Sequence, residues 1–180
     1  NSGQVYNFNG SIVVDNTIPE GNHIVKLIAE DDKGGITTQE IPIKVDKTGP
    51  VSTLEDTNVK AKSISEIEIK ATATDSMVGI KENNTFLFNK DGQDIGTWTS
   101  ESTITDMGLK ANKKYSYKFK AIDKLENIGE YSNAVNRYTL ALNPTEIRLT
   151  EYSTNSLTFN ITNNTENDEV PEIKLIAKKK

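Results

Sequence analysis

The side chains that could do chemistry in this sequence are few and unevenly placed. There is one histidine, His23, inside the run NHIVKL, and there is no cysteine. A single imidazole beside an apolar run, with no thiol anywhere, excludes zinc sites and Ser-His-Asp or Cys-His triads. It reads as a strand residue. Serines and threonines are plentiful, but no G-x-S-x-G turn presents one as a nucleophile. Gly34–Gly35 opens no helical pattern, so it reads as a hairpin turn and not a phosphate cradle. No enzyme is expected.

Carboxylates are better placed. Glu30, Asp31 and Asp32 share one turn, Asp46 lies in the linker VDKTGP, Asp75 follows SEIEIKATAT, and Asp123 and Glu126 share another turn. Oxygen-rich clusters at strand ends suit Ca²⁺, which takes about six to eight oxygen ligands. Asp31, Asp32, Asp46, Asp75 and Asp123 are therefore the calcium candidates, and no other cofactor is called for. The competing reading is that these carboxylates accept backbone N–H bonds in turns and stay solvated. No D-x-D-x-D-G loop is present, and no spacing marks a lysine–asparagine or lysine–aspartate isopeptide bond. Among the aromatics, Tyr115, Tyr117 and Phe119 alternate along one run, so they share a face and belong to a core. That leaves Trp98 as the one candidate for stacking on a sugar.

Composition narrows the partners. Net charge is −5 with acids and bases interleaved, so no basic stripe offers itself to nucleic acid. No run approaches the roughly 20 apolar residues of a membrane helix, and no membrane insertion is expected. Apolar residues make up 34 % of the chain, below the usual share of about 45–50 %, but they are patterned rather than scattered. Lysine outnumbers arginine 19 to 2, beside 19 asparagines and 19 isoleucines, the bias of an AT-rich bacterial genome. The first residue is Asn1, so the chain reads as a mature product or a piece of something longer.

The elements that must carry these residues are strands. Runs with period-2 alternation lie at 11–14, 23–30, 36–45, 65–74, 84–90, 96–104, 114–122, 131–140, 145–152, 156–162 and 172–178, separated by turn signals. Helix in more than one short turn is not expected. Two stretches share a frame: VKLIAEDDKGGITTQEIPIKV and YKFKAIDKLENIGEYSNAV. Each is an alternating strand ending in Ala-x-Asp, then a polar turn with Gly, then a return strand. The Asp can accept N–H bonds across the turn and the Gly can take positive φ.

Residues 51–142 resemble a fibronectin type III domain, through Leu109, Ala111, Tyr115, Tyr117, Phe119, Ala121, Asp123 and Asn127. The resemblance implies that Tyr115 forms a tyrosine corner, its hydroxyl bonded to the backbone upstream. The family's proline falls on Ala111 and its strand-B tryptophan near Ala73, so Trp98 is expected to fill that core space from another strand. Residues 1–50 resemble the C-terminal half of a bacterial Ig-like domain ending in a D-x-T-x-P linker, with Pro50 fixing the exit. Residues 143–180 resemble the N-terminal half of a further fibronectin type III domain.

The expectation is an all-β chain of tandem Ig-like and fibronectin type III-like sandwiches, the terminal ones incomplete. Each incomplete end is either a boundary within a longer array or a half that docks on an identical chain, head to tail. The resemblance implies an extracellular, bacterial cell-surface or secreted protein used as a spacer, stalk or adhesive segment, or as a surface-layer or appendage subunit. Its partners would be neighbouring domains, identical chains, or host or cell-wall glycans or proteins. The alternative is a carbohydrate- or protein-binding accessory module of a larger secreted enzyme.

Overall fold

A computed structural model describes residues 10–174 and Ile176. The described chain is all-β apart from one 3-10 turn at Asp56–Asn58, and it divides into two compact units, at Lys47 and Thr48.

The first unit is a two-stranded ribbon. Strands β1 (Gly21–Glu30) and β2 (Ile36–Val45) pair antiparallel without a break, from Gly21↔Val45 to Glu30↔Ile36. The run at 11–14, expected as a strand, is not one. Its backbone finds no ladder, and the Asp15 carboxylate turns the chain directly after it by accepting from Thr17 N at 2.9 Å. Lys47 ties this segment to the ribbon's end: its Nζ donates to the carbonyls of Asp15 and Ile18, both at 2.6 Å.

The second unit holds a complete sandwich. One layer contains β3 (Val51–Thr53), β4 (Val59–Ala61), β5 (Glu66–Lys70), β6 (Thr72–Thr74) and β9 (Thr103–Met107), paired as β3-β6 and β4-β5-β9. The other contains β7 (Phe86–Lys90), β8 (Gln93–Asp94), β10 (Lys114–Ala121) and β11 (Val135–Tyr138) in the order β11-β10-β7-β8. The single run 65–74 splits at Ala71, whose N–H donates to Ser102 O at 2.7 Å, one residue past Lys70↔Thr103 in the β5–β9 register, before β6 turns to pair with β3. This lets one strand of sequence serve two pairings.

Alternation explains the core. Ile67, Ile69 and Ala71 point inward beneath Tyr115, Tyr117, Phe119, Phe88, Leu54, Val59, Leu109 and Val135, all buried. Glu66, Glu68 and Lys70, the intervening residues, face out. Each large apolar side chain so buried is worth about 1.5–3 kcal/mol. Trp98 is not part of this cluster, contrary to the sequence expectation. Thr99 pairs with Phe86 across an isolated bridge, so both face the interior and Trp98, one residue away, faces outward. Phe88 and Phe119, with centroids 5.9 Å apart, fill the space between the sheets instead.

Beyond the sandwich, β12 (Glu146–Tyr152) and β13 (Leu157–Thr162) form a second ribbon with a register shift between Leu149 and Glu151. Ile147, Leu149 and Leu157 on it are exposed. The expected strand at 172–178 is absent over 172–174, and most of the remainder lies outside the described residues.

Candidate functional site

The carboxylates singled out in the sequence sit where backbone N–H groups converge. Asp123 ends the β10 run. Its Oδ1 accepts from Leu125 N and Asn127 N, both at 2.8 Å, and its Oδ2 accepts from Asn127 Nδ2 at 2.8 Å. The residue is fully buried. Asp75 follows β6 and gathers three donors on Oδ1: Met77 N at 3.1 Å, Val78 N at 2.9 Å and Gly79 N at 2.6 Å. Such clusters of N–H groups around one oxygen replace its hydration and fix a turn at the same time. The fold brings these two loops together: a carboxylate oxygen of Asp75 and one of Asp123 lie within 4.8 Å of each other. This is the pair in the second unit that can contribute to holding a hard cation such as Ca²⁺.

In the first unit, Asp31 holds the β1–β2 turn, its Oδ1 accepting from Lys33 N at 2.9 Å and Gly35 N at 2.7 Å. Those two bonds, that from Gly35 first, lower its pKa below the ordinary carboxylate value. Asp32 is exposed beside it, and Asp46 follows directly on β2. His23 is half-buried on β1, with Nε2 2.8 Å from Pro19 O, a contact that anchors the entry turn.

The outward face of the four-stranded sheet carries Trp98 and Tyr131 with two lysines of β10. Lys120 Nζ lies 5.9 Å from the Trp98 ring centre and 4.9 Å from that of Tyr131, and Lys118 Nζ lies 4.3 Å from Tyr131. Tyr131 OH donates to Asp94 Oδ1 at 2.8 Å. Asn89 and Tyr131, donating to Asp94, lower that carboxyl's pKa, and burial followed by the Asp94 bond raises that of Tyr131. The ring faces are thus partly covered by ammonium groups, a cation–π arrangement.

Tyr115 OH accepts from Lys110 N at 2.9 Å, which bends the chain over buried Leu109, and Leu109 N in turn donates to Ser65 O at 3.1 Å. At the sandwich's other end the segment Gly49–Pro50 crosses Ile128–Gly129 in contact too close for any side chain. A Cβ on Gly129 would lie 2.0 Å from Pro50 O, and one on Gly49 would lie 2.3 Å from Gly129 N. The sequence frame gave the Gly of the second hairpin a positive φ. That conformation belongs to Glu126 (φ 69°), and Gly129 is needed for close approach instead.

Sequence reasoning also missed a buried polar bridge between the sheets. Tyr117 OH donates to Asp106 Oδ2 at 2.8 Å, and Lys90 Nζ reaches the same oxygen at 3.0 Å. Burial, reinforced by the Asp106 bond, drives the Tyr117 phenol far above its usual pKa, so it stays a donor. The alternation that puts Tyr117 in the core was visible; the cross-sheet carboxylate was not.

No family model matches the chain, and no curated protein matches it in sequence. Among solved structures it is similar to the fibronectin(III)-like modules of Clostridium thermocellum CbhA, at 20 % identity and a TM-score of 0.42 over 69 % of this chain and 65 % of that one. It is also similar to the FN1–FN3 domains of chicken CNTN1, at 19 % identity and a TM-score of 0.42 over 70 % of this chain and 45 % of that one. A third similarity is to the Yersinia enterocolitica family 28 exopolygalacturonase, at 14 % identity and a TM-score of 0.41 over 54 % of this chain and 21 % of that one. The chain thus spans less than two thirds of each. These are likenesses of architecture, not of ligand or activity.

Proposed function

We propose that this chain is a spacer or stalk segment of a bacterial cell-surface or secreted multi-domain protein. One observation supports this above the others: the middle sandwich is fixed where the chain enters it. The entering segment Gly49–Pro50 is interlocked with Ile128–Gly129 at backbone contact distance. A sandwich whose entering segment is gripped this way resists having that segment peeled away under load, as a spacer requires. Its polar side chains serve the same purpose. Asp75 and Asp123 hold turns and Asp106 bridges sheets.

The two ribbons support a second use, assembly in an adhesive, surface-layer or appendage subunit. Each ribbon exposes apolar residues on one face, Ile24 and Ile28 on one ribbon and Ile147 and Leu157 on the other. A second β-layer, from an adjoining domain or an identical chain, would cover them. Light scattering of the 180-residue chain over a concentration series tests the head-to-tail version. A mass that climbs supports it, and a monomer throughout removes it.

The alternative reading, a glycan- or protein-binding accessory module, is favoured only by Trp98 and Tyr131 on one sheet face. Force spectroscopy on a tandem concatemer tests the spacer reading directly. A single cooperative rupture of the sandwich at high force supports it, and yielding at the weakest measurable force sinks it. A glycan array with Trp98→Ala as control tests the alternative.

A further inference from the structure

The loop that follows β13 runs back onto the sandwich. Residues 163–169, NNTENDE, reach the corner formed by Lys110–Lys113 and the chain leaving β11. Asp168 N donates to Ala111 O at 2.8 Å. The Asp168 carboxylate takes Lys110 Nζ at 3.1 Å and faces Lys113 Nζ at 3.8 Å. Asn112 Nδ2 donates to Glu169 O at 2.6 Å, and Tyr138 OH donates to Glu169 Oε2 at 3.0 Å. Asn167 pairs with both backbone groups of one residue: its Oδ1 accepts from Leu142 N at 2.8 Å and its Nδ2 donates to Leu142 O at 3.3 Å.

Both partners in this contact are braced. The loop is closed by Asn167 N donating to Asn164 O at 3.2 Å and Glu166 N donating to Asn164 Oδ1 at 3.0 Å. The corner is held by Tyr115 OH on Lys110 N and by Thr139 Oγ1, which donates to Lys110 O at 2.6 Å and accepts from Lys113 N at 3.1 Å. Lys110 therefore serves two ends, its backbone fixed in the corner and its ammonium on the loop. Such exposed contacts are individually weak. Made together between braced partners, each raises the effective concentration of the rest.

We infer that residues 163–169 form a polar latch that holds the β12–β13 ribbon at one orientation to the sandwich, with Asn167 and Asp168 as its principal contacts. The latch turns a joint that residues 141–145 alone would leave to swing into a stiff one. Its use in passing tension along the chain rests on the spacer reading; the geometry does not.

The absence of cysteine makes the test direct. Nitroxide labels on Lys70→Cys in β5 and Arg148→Cys in β12 report the distance across the joint by pulsed electron resonance. The parent chain should give one narrow band. Asn167→Ala with Asp168→Ala should broaden that band to at least about twice its width, as a flexible tether allows, with the sandwich melt unchanged. Lys110→Gln, made from the sandwich side, should broaden it less. A band already broad in the parent, or one of equal width in the variants, overturns the latch. Either outcome leaves the spacer reading to the rupture measurement, which depends on the sandwich and not on this joint.

Discussion

The two hairpins that share a sequence frame also share an atomic staple. In the first, Asp31 N donates to Gly35 O at 2.9 Å, Gly34 N donates to Asp31 O at 3.2 Å, and the Asp31 carboxylate takes the N–H groups two and four residues on. In the second, Asp123 N donates to Asn127 O at 3.1 Å, Glu126 N donates to Asp123 O at 3.3 Å, and the Asp123 carboxylate again takes the N–H groups two and four residues on. The third residue after each Asp has positive φ, 80° at Gly34 and 69° at Glu126. What differs is burial. Asp31 is exposed, whereas Asp123 has 0 % of its surface exposed. One local code therefore carries two energetic weights, because water reaches the carboxylate in one turn and not in the other.

Removing the two carboxylates breaks the comparison most sharply. Asp123→Ala takes the buried acceptor away from two part-buried backbone donors, each costing about 1–3 kcal/mol when left unmade, so denaturant melts should show the sandwich losing about 2–4 kcal/mol. Asp31→Ala leaves the same donors facing solvent. Amide exchange at Lys33 and Gly35 should rise while the sandwich melt stays put. Equal effects of the two substitutions on that melt would end the argument from burial.

Six residues after each Asp the hairpins part again. Gly129 lies there in the second and Thr37 in the first. Gly129→Ala places a methyl group 2.0 Å from Pro50 O, and the obstacle is backbone that cannot rotate away. A loss of about 2–4 kcal/mol is expected, against less than about 0.5 kcal/mol for exposed Thr37→Ala. Both are read by urea unfolding. A tolerated Gly129→Ala would mean that the crossing with Gly49–Pro50 is loose.

These contrasts mark what the sequence could disclose. The Asp, its turn and the alternating strands around it are local, and local patterns are written in neighbouring residues: Tyr115, Tyr117 and Phe119 read as core from spacing alone. Trp98 was misplaced because its facing depends on the register of residues 95–99 against β7, which only the Thr99↔Phe86 pairing sets. Gly129, Asp106 and Asp168 were overlooked for the same reason. Their partners, Pro50, Tyr117 with Lys90, and Lys110, lie elsewhere along the chain. The calcium candidates were legible as carboxylates in turns. Their grouping was not, since Asp75 and Asp123 approach only through folding.

The position of positive φ offers a smaller and opposite effect. A left-handed conformation costs a residue with a Cβ about 1–2 kcal/mol and costs glycine little. Glu126→Gly should therefore stabilise the second hairpin. It also removes the exposed ion pair to Lys81 at 2.6 Å, worth at most about 1 kcal/mol. A net gain of about 0.5 kcal/mol in the melt is expected. Gly34→Ala should instead raise exchange across the first turn. A loss of stability in Glu126→Gly would show that the Lys81 pair, not the backbone, governs this position.

The smallest effect separates the turns by pH. Asp31 has its pKa lowered by the Gly35 and Lys33 N–H bonds, which favour the ionised form in the folded ribbon. A carboxyl whose folded pKa lies below its unfolded value adds stability that is fully present above the unfolded value, about 3.9, and that vanishes as pH falls through the folded one. The Lys33 and Gly35 amide resonances should thus stay fixed from neutral pH to below the ordinary carboxylate range, then move together as Asp31 takes up its proton. Asp31→Asn, which keeps an acceptor oxygen but cannot titrate, should hold both resonances still through the same window. If the parent resonances moved at or above the ordinary carboxylate value, the two N–H bonds would not favour the charge, and the first turn would owe its shape to Gly34 instead of its aspartate.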